Sequence, residues 1–560
     1  MQNPIREILS KFHKEILIIG FFSFLANILM LTPTIYMLQV FDRVMISQSG
    51  LTLLAVTLIC LLLFGIMGFS EWCRSRLLVR TGIKFDELLN SNVFYASFKA
   101  ALEKGDANPG QGLSDLMNVR QFLTGNSIVA FFDAPWAPVY ILVSWMLHPL
   151  LGLISLGFLI AFVCYASLSQ WFTRKTHEKY MDISNKTSTF LNSKTRNAEV
   201  IFSMGMSNRL FQKWENLYKI QTQLASDIQD KNQKSQSVIK FLQYSQQSIV
   251  LGAGAILVIR GELSVGAMIA TSILATRALQ PIQSIVSTWR SVMAARVSYA
   301  RLNKLLLEHQ EIPALVIPQL IQGKLICENL TALANGRAEP ILNNINIIIP
   351  PGKILGIMGA SGSGKSTLAR CLIGIWPMTQ GDVKLDDHPI KLLDRQTLGP
   401  FIGYLPQEIE LFDGSIADNI ARLGNVDSNK VIEAAQRVGI HEMILQFPNG
   451  YDSPIDIAGN SLSRGQLQRI ALARAIYGNP KVLILDEPNA SLDNAGETAL
   501  MNTILDFKQR GTTIVIISHR FGILNTVDLI LVLERGNIVT FGEREEVLKK
   551  RISGNNPASL

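Results

Sequence analysis

The 560-residue chain is 48% apolar and only 17% charged, with a mean hydropathy of +0.25, a balance that excludes an ordinary soluble enzyme and points to a membrane protein. Its net charge of +8 and pI near 9.1 fit either nucleic-acid binding or a lysine and arginine excess held on the cytoplasmic side of a bilayer. Cys60, Cys73, Cys164, Cys327 and Cys371 are odd in number and lack metal-type spacing, so they read as reduced packing residues with neither a disulfide framework nor a metal site.

The first fourteen residues carry Arg6, Lys11 and Lys14, and an apolar run then extends from Ile16 to about Leu38. It is longer than a signal-peptide core, lacks a small-residue cleavage site and is followed by more such runs, so it reads as a spanning helix. Further spans are predicted at Leu51–Ser70, Ile128–Leu147, Leu150–Trp171, Ser248–Ile259 with its neighbours, and Gly266–Val286, six in all. Ser, Thr, Gln and Arg277 interrupt the last two, which suits helices facing a polar pathway or a packed, partly buried pair. Pro33, Pro135, Pro138 and Pro281 are expected to kink these helices without breaking them.

Charge orients the spans. The segments joining the second to third and fourth to fifth runs hold Arg74, Arg76, Arg80, Lys84, Arg174, Lys175, Lys179, Arg196, Lys213, Lys231, Lys234 and Lys240. The opposite connections hold little beyond Arg43, His148 and Arg260, which puts both termini in the cytoplasm. This asymmetry accounts for the net charge, so no nucleic-acid partner is expected. Phe85, Leu88, Leu89, Val93 and Phe94 keep helical spacing beyond the second run, so the helices should continue into the cytoplasm.

The texture changes near residue 312. Ile312-Pro313 and Ile317-Pro318 mark a linker over 313–322, separating a membrane domain (1–312) from an α/β domain (323–549) with a tail (550–560). In the second domain an apolar run ending at Met358 leads into Gly359, Ala360, Ser361, Gly362, Ser363, Gly364, Lys365, Ser366 and Thr367, and a helix pattern follows. This is a phosphate-binding loop: glycines let successive N–H groups converge on one centre, to which the next helix turns its positive end. Lys365 would reach the β- and γ-phosphates of a triphosphate, and the Ser366 hydroxyl would be a ligand to Mg²⁺. Further on, Val482–Leu485 is an apolar strand ending in Asp486 and Glu487. Asp486 is placed to hold Mg²⁺ through water, and Glu487 to polarise the water attacking the γ-phosphate.

Between these two stretches, Leu462-Ser463-Arg464-Gly465-Gln466-Leu467-Gln468-Arg469-Ile470 resembles the signature of the ATP-binding cassette (ABC) family. Gln407 in Leu405-Pro406-Gln407, Ser491-Leu492-Asp493, and His519 in Ile517-Ser518-His519 match the family's remaining motifs in order. The resemblance implies an exporter-type transmembrane domain of six helices followed by an α/β P-loop cassette, with ATP and Mg²⁺ as cofactors. It implies two cassettes sandwiching two nucleotides, so that Ser463 and Gly465 of one chain would touch the γ-phosphate bound by the other, with Gln466 and Asp493 among the nucleotide-binding residues. His519 would hold the γ-phosphate and attacking water, and Gln407 would reach Mg²⁺. One membrane domain and one cassette imply a second copy of the chain, as a homodimer, or a related half.

Residues 33–44 (Pro-Thr-Ile-Tyr-Met-Leu-Gln-Val-Phe-Asp-Arg-Val), 131–138 (Phe-Phe-Asp-Ala-Pro-Trp-Ala-Pro), Arg196–Ile201 with Met204-Gly205-Met206, and Asp486–Asp493 resemble type I protein secretion permease/ATPases, closest to the branch exporting metalloproteases and lipases. That branch implies a cytoplasmic (inner) membrane ATPase, surrounded by lipid, that passes an unfolded polypeptide with a C-terminal signal to a periplasmic adaptor and an outer-membrane channel. With the first span beginning near Ile16, no N-terminal peptidase-like domain is expected. Leu113–Phe122 and Ser203–Gln212 correspond by position to helices that press on the cassettes. Export of lipids or amphipathic small molecules is the competing reading, and a regulatory membrane protein that does not translocate is disfavoured by Glu487 and His519. Arg464 stands where the family usually has glycine, and residues 329–336 lack the aromatic that commonly stacks on adenine.

Overall fold

The computed structural model describes residues 4–104, 109–195, 197–309, 321–333, 339–376, 378–455, 462–518 and 520–553. They fall into two compact units, one within Met1–Ser97 and Asn108–His309, the other within Phe98–Ala107 and Gln310–Leu560. His519, Arg196, most of the 313–322 linker and the end of the tail lie outside the described residues.

The first unit is all helical. Among the described residues, six helical stretches are long and apolar enough to cross a membrane: His13–Ser47, Gly50–Glu103, Asn126–Leu147, Pro149–Leu191, Ser207–Ile259 and Val265–Glu308. Their apolar side chains are largely exposed, Leu51 by 82% and Ile259 by 86%, as a lipid-facing surface requires. Three helices far outrun a bilayer: Gly50–Lys104, Pro149–Thr195 and Ser207–Ile259 have 55, 47 and 53 residues. At 1.5 Å per residue these are about 70–80 Å long against a hydrocarbon core of about 30 Å. The predicted extensions are therefore present, and Phe85, Leu89 and Val93 are buried against Leu116, Val119 and Leu302. This places Leu113–Phe122, within the helix Pro109–Thr124, in the packed part of the unit.

Proline does more than the sequence reading expected. The sixth helix continues through Pro281. The first span, in contrast, stops at Leu29 and restarts at Thr32, with Pro33 in the new first turn. The third passes through a 3₁₀ turn, Ala134–Trp136, before Ala137–Leu147. A proline ring removes one N–H and collides with the carbonyl four residues back, so these stretches interrupt the α-helix where Pro281 is accommodated.

Polar contacts tie the spans. Asp133 accepts from Arg74 at 2.9 Å and from Asn27 Nδ2 at 2.7 Å, and the Tyr140 hydroxyl donates to Asn27 Oδ1 at 3.1 Å. At the far end of the first span, Asp42 lies in a π-helical turn, Val40–Val44. Its carboxylate accepts from Ser264 Oγ at 2.5 Å and from the Gly266 N–H at 2.8 Å, capping the sixth helix.

The second unit is α/β. Its strands are β1 (Leu325–Ala332), β2 (Leu342–Ile349), β3 (Ile354–Met358), β4 (Met378–Leu385), β5 (His388–Pro389), β6 (Ile402–Leu405), β7 (Gly414–Ser415), β8 (Pro454–Ile455), β9 (Val482–Asp486), β10 (Thr513–Ile517), β11 (Leu529–Glu534) and β12 (Asn537–Glu543). One sheet has the order β12-β11-β3-β10-β9-β6, parallel except for the edge strand β12. β9 and β10 are buried along their whole length, as a sheet covered on both faces demands. A four-stranded antiparallel sheet, β2-β1-β4-β5, forms a second layer. In the parallel sheet, β3, β6, β9 and β10 end on the same side, where such sheets bind ligands.

Candidate active site

The glycine-rich loop leaves β3 and enters the helix Lys365–Leu372. Its turns are possible only without side chains at two places. A Cβ on Gly359 would stand 2.2 Å from the Leu533 carbonyl oxygen, and Gly364 has φ +101° with Leu342 Cδ2 at 2.8 Å from its Cβ position. The Gly536 N–H donates to Ser363 O at 3.1 Å and the Leu368 N–H to Gly364 O at 2.9 Å, pinning both limbs. Ser366 and Thr367 lie in the first helical turn.

Lys365 is folded inward, donating to the carbonyls of Gly359 at 2.8 Å and Ala360 at 2.9 Å. Burial pulls its ammonium pKa below the usual lysine value, against the opposing pull of Glu487 and Asp486. Asp486 ends β9 and is 2% exposed. Burial pushes its carboxyl above the ordinary range, outweighing the hydrogen bond from Ser366, with Glu487 adding to the rise. Its Oδ1 and the Ser363 hydroxyl are buried without hydrogen-bond partners among the described residues. Unpaired groups beside a lysine and a helix N-terminus fit a guest carrying both phosphate oxygens and a cation.

Glu487 adopts φ +50°, rare for a residue with a side chain, and its N–H donates to Ile517 O at 3.0 Å. That turn carries its side chain to Gln407, just beyond β6, whose Nε2 donates to Oε2 at 3.2 Å. The structure thus brings the phosphate loop, Asp486, Glu487 and Gln407 to one end of the parallel sheet. Ser463 caps the helix Arg464–Ile476, with the Gln466 side chain closing the reciprocal cap through the Ser463 N–H at 2.8 Å. Asp493 caps Asn494–Gln509 through the Gly496 N–H at 2.8 Å. Among the described residues, no hydrogen bond joins Ser463, Gly465 or Asp493 to the phosphate loop.

Sequence reading assigned no role to Gln468. It is buried, donates to the carbonyls of Glu487 at 3.2 Å and Pro488 at 2.5 Å, and accepts from the Ser491 N–H at 2.9 Å. Nothing in the sequence singled it out, since its helix also carries Arg464, Gln466, Arg469 and Arg474. Asn489, also buried, accepts from Ser518 Oγ at 3.3 Å and joins the turn after β9 to the end of β10.

A parallel sheet with a phosphate loop, a strand-end carboxylate pair and a capped signature helix, joined in one chain to six spanning helices, defines an ATP-driven membrane transporter. The family described as ABC transporter matches residues 342–490, and the ABC transporter transmembrane region matches 16–282. The chain belongs to the ABC transporters, with the membrane and ATPase domains of that family, and within them to the type I secretion ATP-binding proteins. It is 39% identical to the type I secretion system ATP-binding protein PrsD of Rhizobium meliloti, over 95% of this chain and 91% of that one. It is 30% identical to the leukotoxin export ATP-binding protein LtxB of Aggregatibacter actinomycetemcomitans, over 94% of this chain and 75% of that one. In fold it matches a bacterial Atm1-family ABC exporter solved with ATP bound, with a TM-score of 0.82 at 19% identity, covering 98% of this chain and all of that one.

Proposed function

We propose that the protein uses ATP hydrolysis to export an unfolded polypeptide across the cytoplasmic membrane, as the inner-membrane component of a type I secretion system. The observation that carries this reading is identity of 39% to a type I secretion ATP-binding protein over nearly the whole of both chains. The working unit is a homodimer embedded in lipid, with termini and cassettes in the cytoplasm. Its partners are a periplasmic adaptor, an outer-membrane channel and a passenger with a C-terminal signal.

In this mechanism the loop N–H groups and Lys365 hold the triphosphate, Lys365 exchanging its two carbonyl contacts for phosphate oxygens. Ser366, Gln407 and the unpaired oxygen of Asp486 are the groups that would hold Mg²⁺, which supplies charge neutralisation at the phosphates when bound. Glu487 accepts the proton of the attacking water, with Gln407 fixing its carboxylate. His519 assists at the same phosphate, and Ser463, Gly465, Gln466 and Asp493 close the site of the partner copy. ATP favours the closed cassette pair, and hydrolysis releases it.

The test is ATPase activity of purified protein in nanodiscs. Glu487→Gln lowers turnover about a hundred- to ten-thousand-fold while nucleotide still binds, and Lys365→Ala loses nucleotide binding. A saturable change in ATPase rate with C-terminal segments of candidate passengers supports polypeptide export. Response only to lipids or amphiphiles would replace that reading with small-molecule export.

A further inference from the structure

A cavity of about 270 Å³ lies between the first, third and sixth spans, with Asn27, Asp133, Arg277 and Gln280 in its lining. That volume has room for several waters, at about 30 Å³ each. Asp133 is only half engaged. Its Oδ1 takes both Arg74 at 2.9 Å and Asn27 at 2.7 Å, while its Oδ2 accepts no hydrogen bond among the described residues. Arg277 lines the same cavity from the sixth span. It donates to Gln280 Oε1 at 3.1 Å, three residues along its own helix, and forms no salt bridge among the described residues. A neutral amide is a weaker acceptor for a guanidinium than a carboxylate, and a cation inside a spanning helix calls for an anion.

The sixth helix is suited to bend beside Arg277. Pro281 supplies no N–H to the Arg277 carbonyl four residues back. Ser284 and Thr288 turn their hydroxyls onto the carbonyls of Gln280 at 3.1 Å and Ser284 at 2.7 Å, a pattern that bends helices. Beyond this stretch the helix is clamped. Arg301 donates twice to buried Asp115, at 2.6 and 2.9 Å, and Ser298 donates once at 2.8 Å. Asp115 belongs to the helix Pro109–Thr124, so a shift of that helix carries the end of the sixth with it and is taken up at Pro281.

We propose that Arg277 is a strap: when ATP closes the cassettes and the sixth helix bends at Pro281, its guanidinium leaves Gln280 for the open oxygen of Asp133 and shuts the cavity. Arg74 keeps Oδ1 throughout, so the third span gains a second ion pair and the sixth is drawn onto it. The two arrangements of Arg277 give the bend two discrete states. The strap rests on the ATP cycle proposed above and is indifferent to the cargo.

The experiment uses the full chain in nanodiscs, carrying Glu487→Gln and Val129→Cys, a change in the cavity lining on the third span. The rate at which methyl methanethiosulfonate, small and uncharged, modifies residue 129 is read by mass spectrometry with and without saturating Mg–ATP. ATP is expected to slow modification at least tenfold. Arg277→Gln should remove most of that protection, and Arg277→Lys should keep it. Pro281→Ala returns an N–H to the Arg277 carbonyl and should remove the protection with both charges in place. Asp133→Asn would also unpair buried Arg74, so the arginine side carries the test. Each variant binds Mg–ATP to saturation, which shows that its cassettes are intact. Protection that survives Arg277→Gln or Pro281→Ala, or that Arg277→Lys loses as fully as Arg277→Gln, overturns the strap. Bound ATP without any protection of residue 129 overturns it too and leaves the ATP cycle standing. If the Glu487→Gln chain itself binds no ATP, the cycle fails and the strap falls with it.

Discussion

Asp486 sits in a conflict between stability and use. Burial raises its carboxyl pKa above the ordinary value, so the ionised form that a cation needs is the form the empty fold disfavours. An acid whose folded pKa is raised loses stability as pH rises through that value, so at neutral pH ionised Asp486 costs the nucleotide-free protein stability. Asp486→Asn should therefore raise the Tm of the nucleotide-free protein while abolishing Mg²⁺-dependent ATPase activity. In the wild type, apparent affinity for Mg–ATP should fall with acidification at higher pH than for an exposed aspartate; binding isotherms across mildly acidic pH check this. Gln468 works through its neighbours. Gln468→Leu strands the buried Pro488 carbonyl and the part-buried Glu487 carbonyl and Ser491 N–H, costing about 1–3 kcal/mol. Because it positions Glu487 and does not touch nucleotide, kcat should fall while nucleotide Kd holds. Asp486 was legible because consecutive acids ending an apolar run are conspicuous. Gln468 was not, because only the fold reveals that its helix face meets the turn after β9.

At the scale of elements, single carboxylates fasten strands and helices by their ends. Asp528 accepts from the Ile354 N–H at 2.9 Å and from Lys508 at 2.8 Å, tying the start of β3 to the helix Asn494–Gln509. Burial pushes its carboxyl up, but Lys508 and the backbone N–H outweigh this and hold it below the usual range. Its stabilisation is thus complete above the unfolded carboxyl pKa and is lost as pH falls through the depressed folded value. Asp528→Ala should cost about 1–3 kcal/mol at neutral pH, measured by denaturant unfolding, and proportionately less in acid. Asp42 plays the same part for the sixth span. Gly266→Ala would put a Cβ 2.6 Å from the Asp42 carboxyl group, and Asp42→Ala leaves the Gly266 N–H and the capping Ser264 hydroxyl without their acceptor. Either should cost about 0.5–2 kcal/mol in thermal unfolding of the detergent-solubilised protein. The number of spans and the long extensions were legible from apolar runs and helical spacing. The interruptions at Met30–Leu31 and Ala134–Trp136 were not, since whether a proline bends or breaks a helix depends on which neighbours take the freed carbonyls.

For the whole molecule, the proposed homodimer makes each site a product of two chains. Lys365→Ala and Ser463→Arg should each be inactive alone. Mixed dimers contain one site built from the intact phosphate loop of one chain and the intact signature of the other, so coexpression should restore measurable ATPase activity. Failure of complementation, with mixed dimers shown by dual-tag purification, would remove the shared-site arrangement. The Arg74–Asp133 contact carries a different consequence, one of time. Arg74 leaves the ribosome 59 residues before the carboxylate that receives it, roughly 3–12 s earlier at about 5–20 residues per second. A cation of the second span thus waits at the edge of the lipid until the third span delivers its anion. Synthesis therefore supplies Ser23 and Asn27, Arg74 and Asp133 in that order, and the contacts that join these three helices close only once Asp133 arrives.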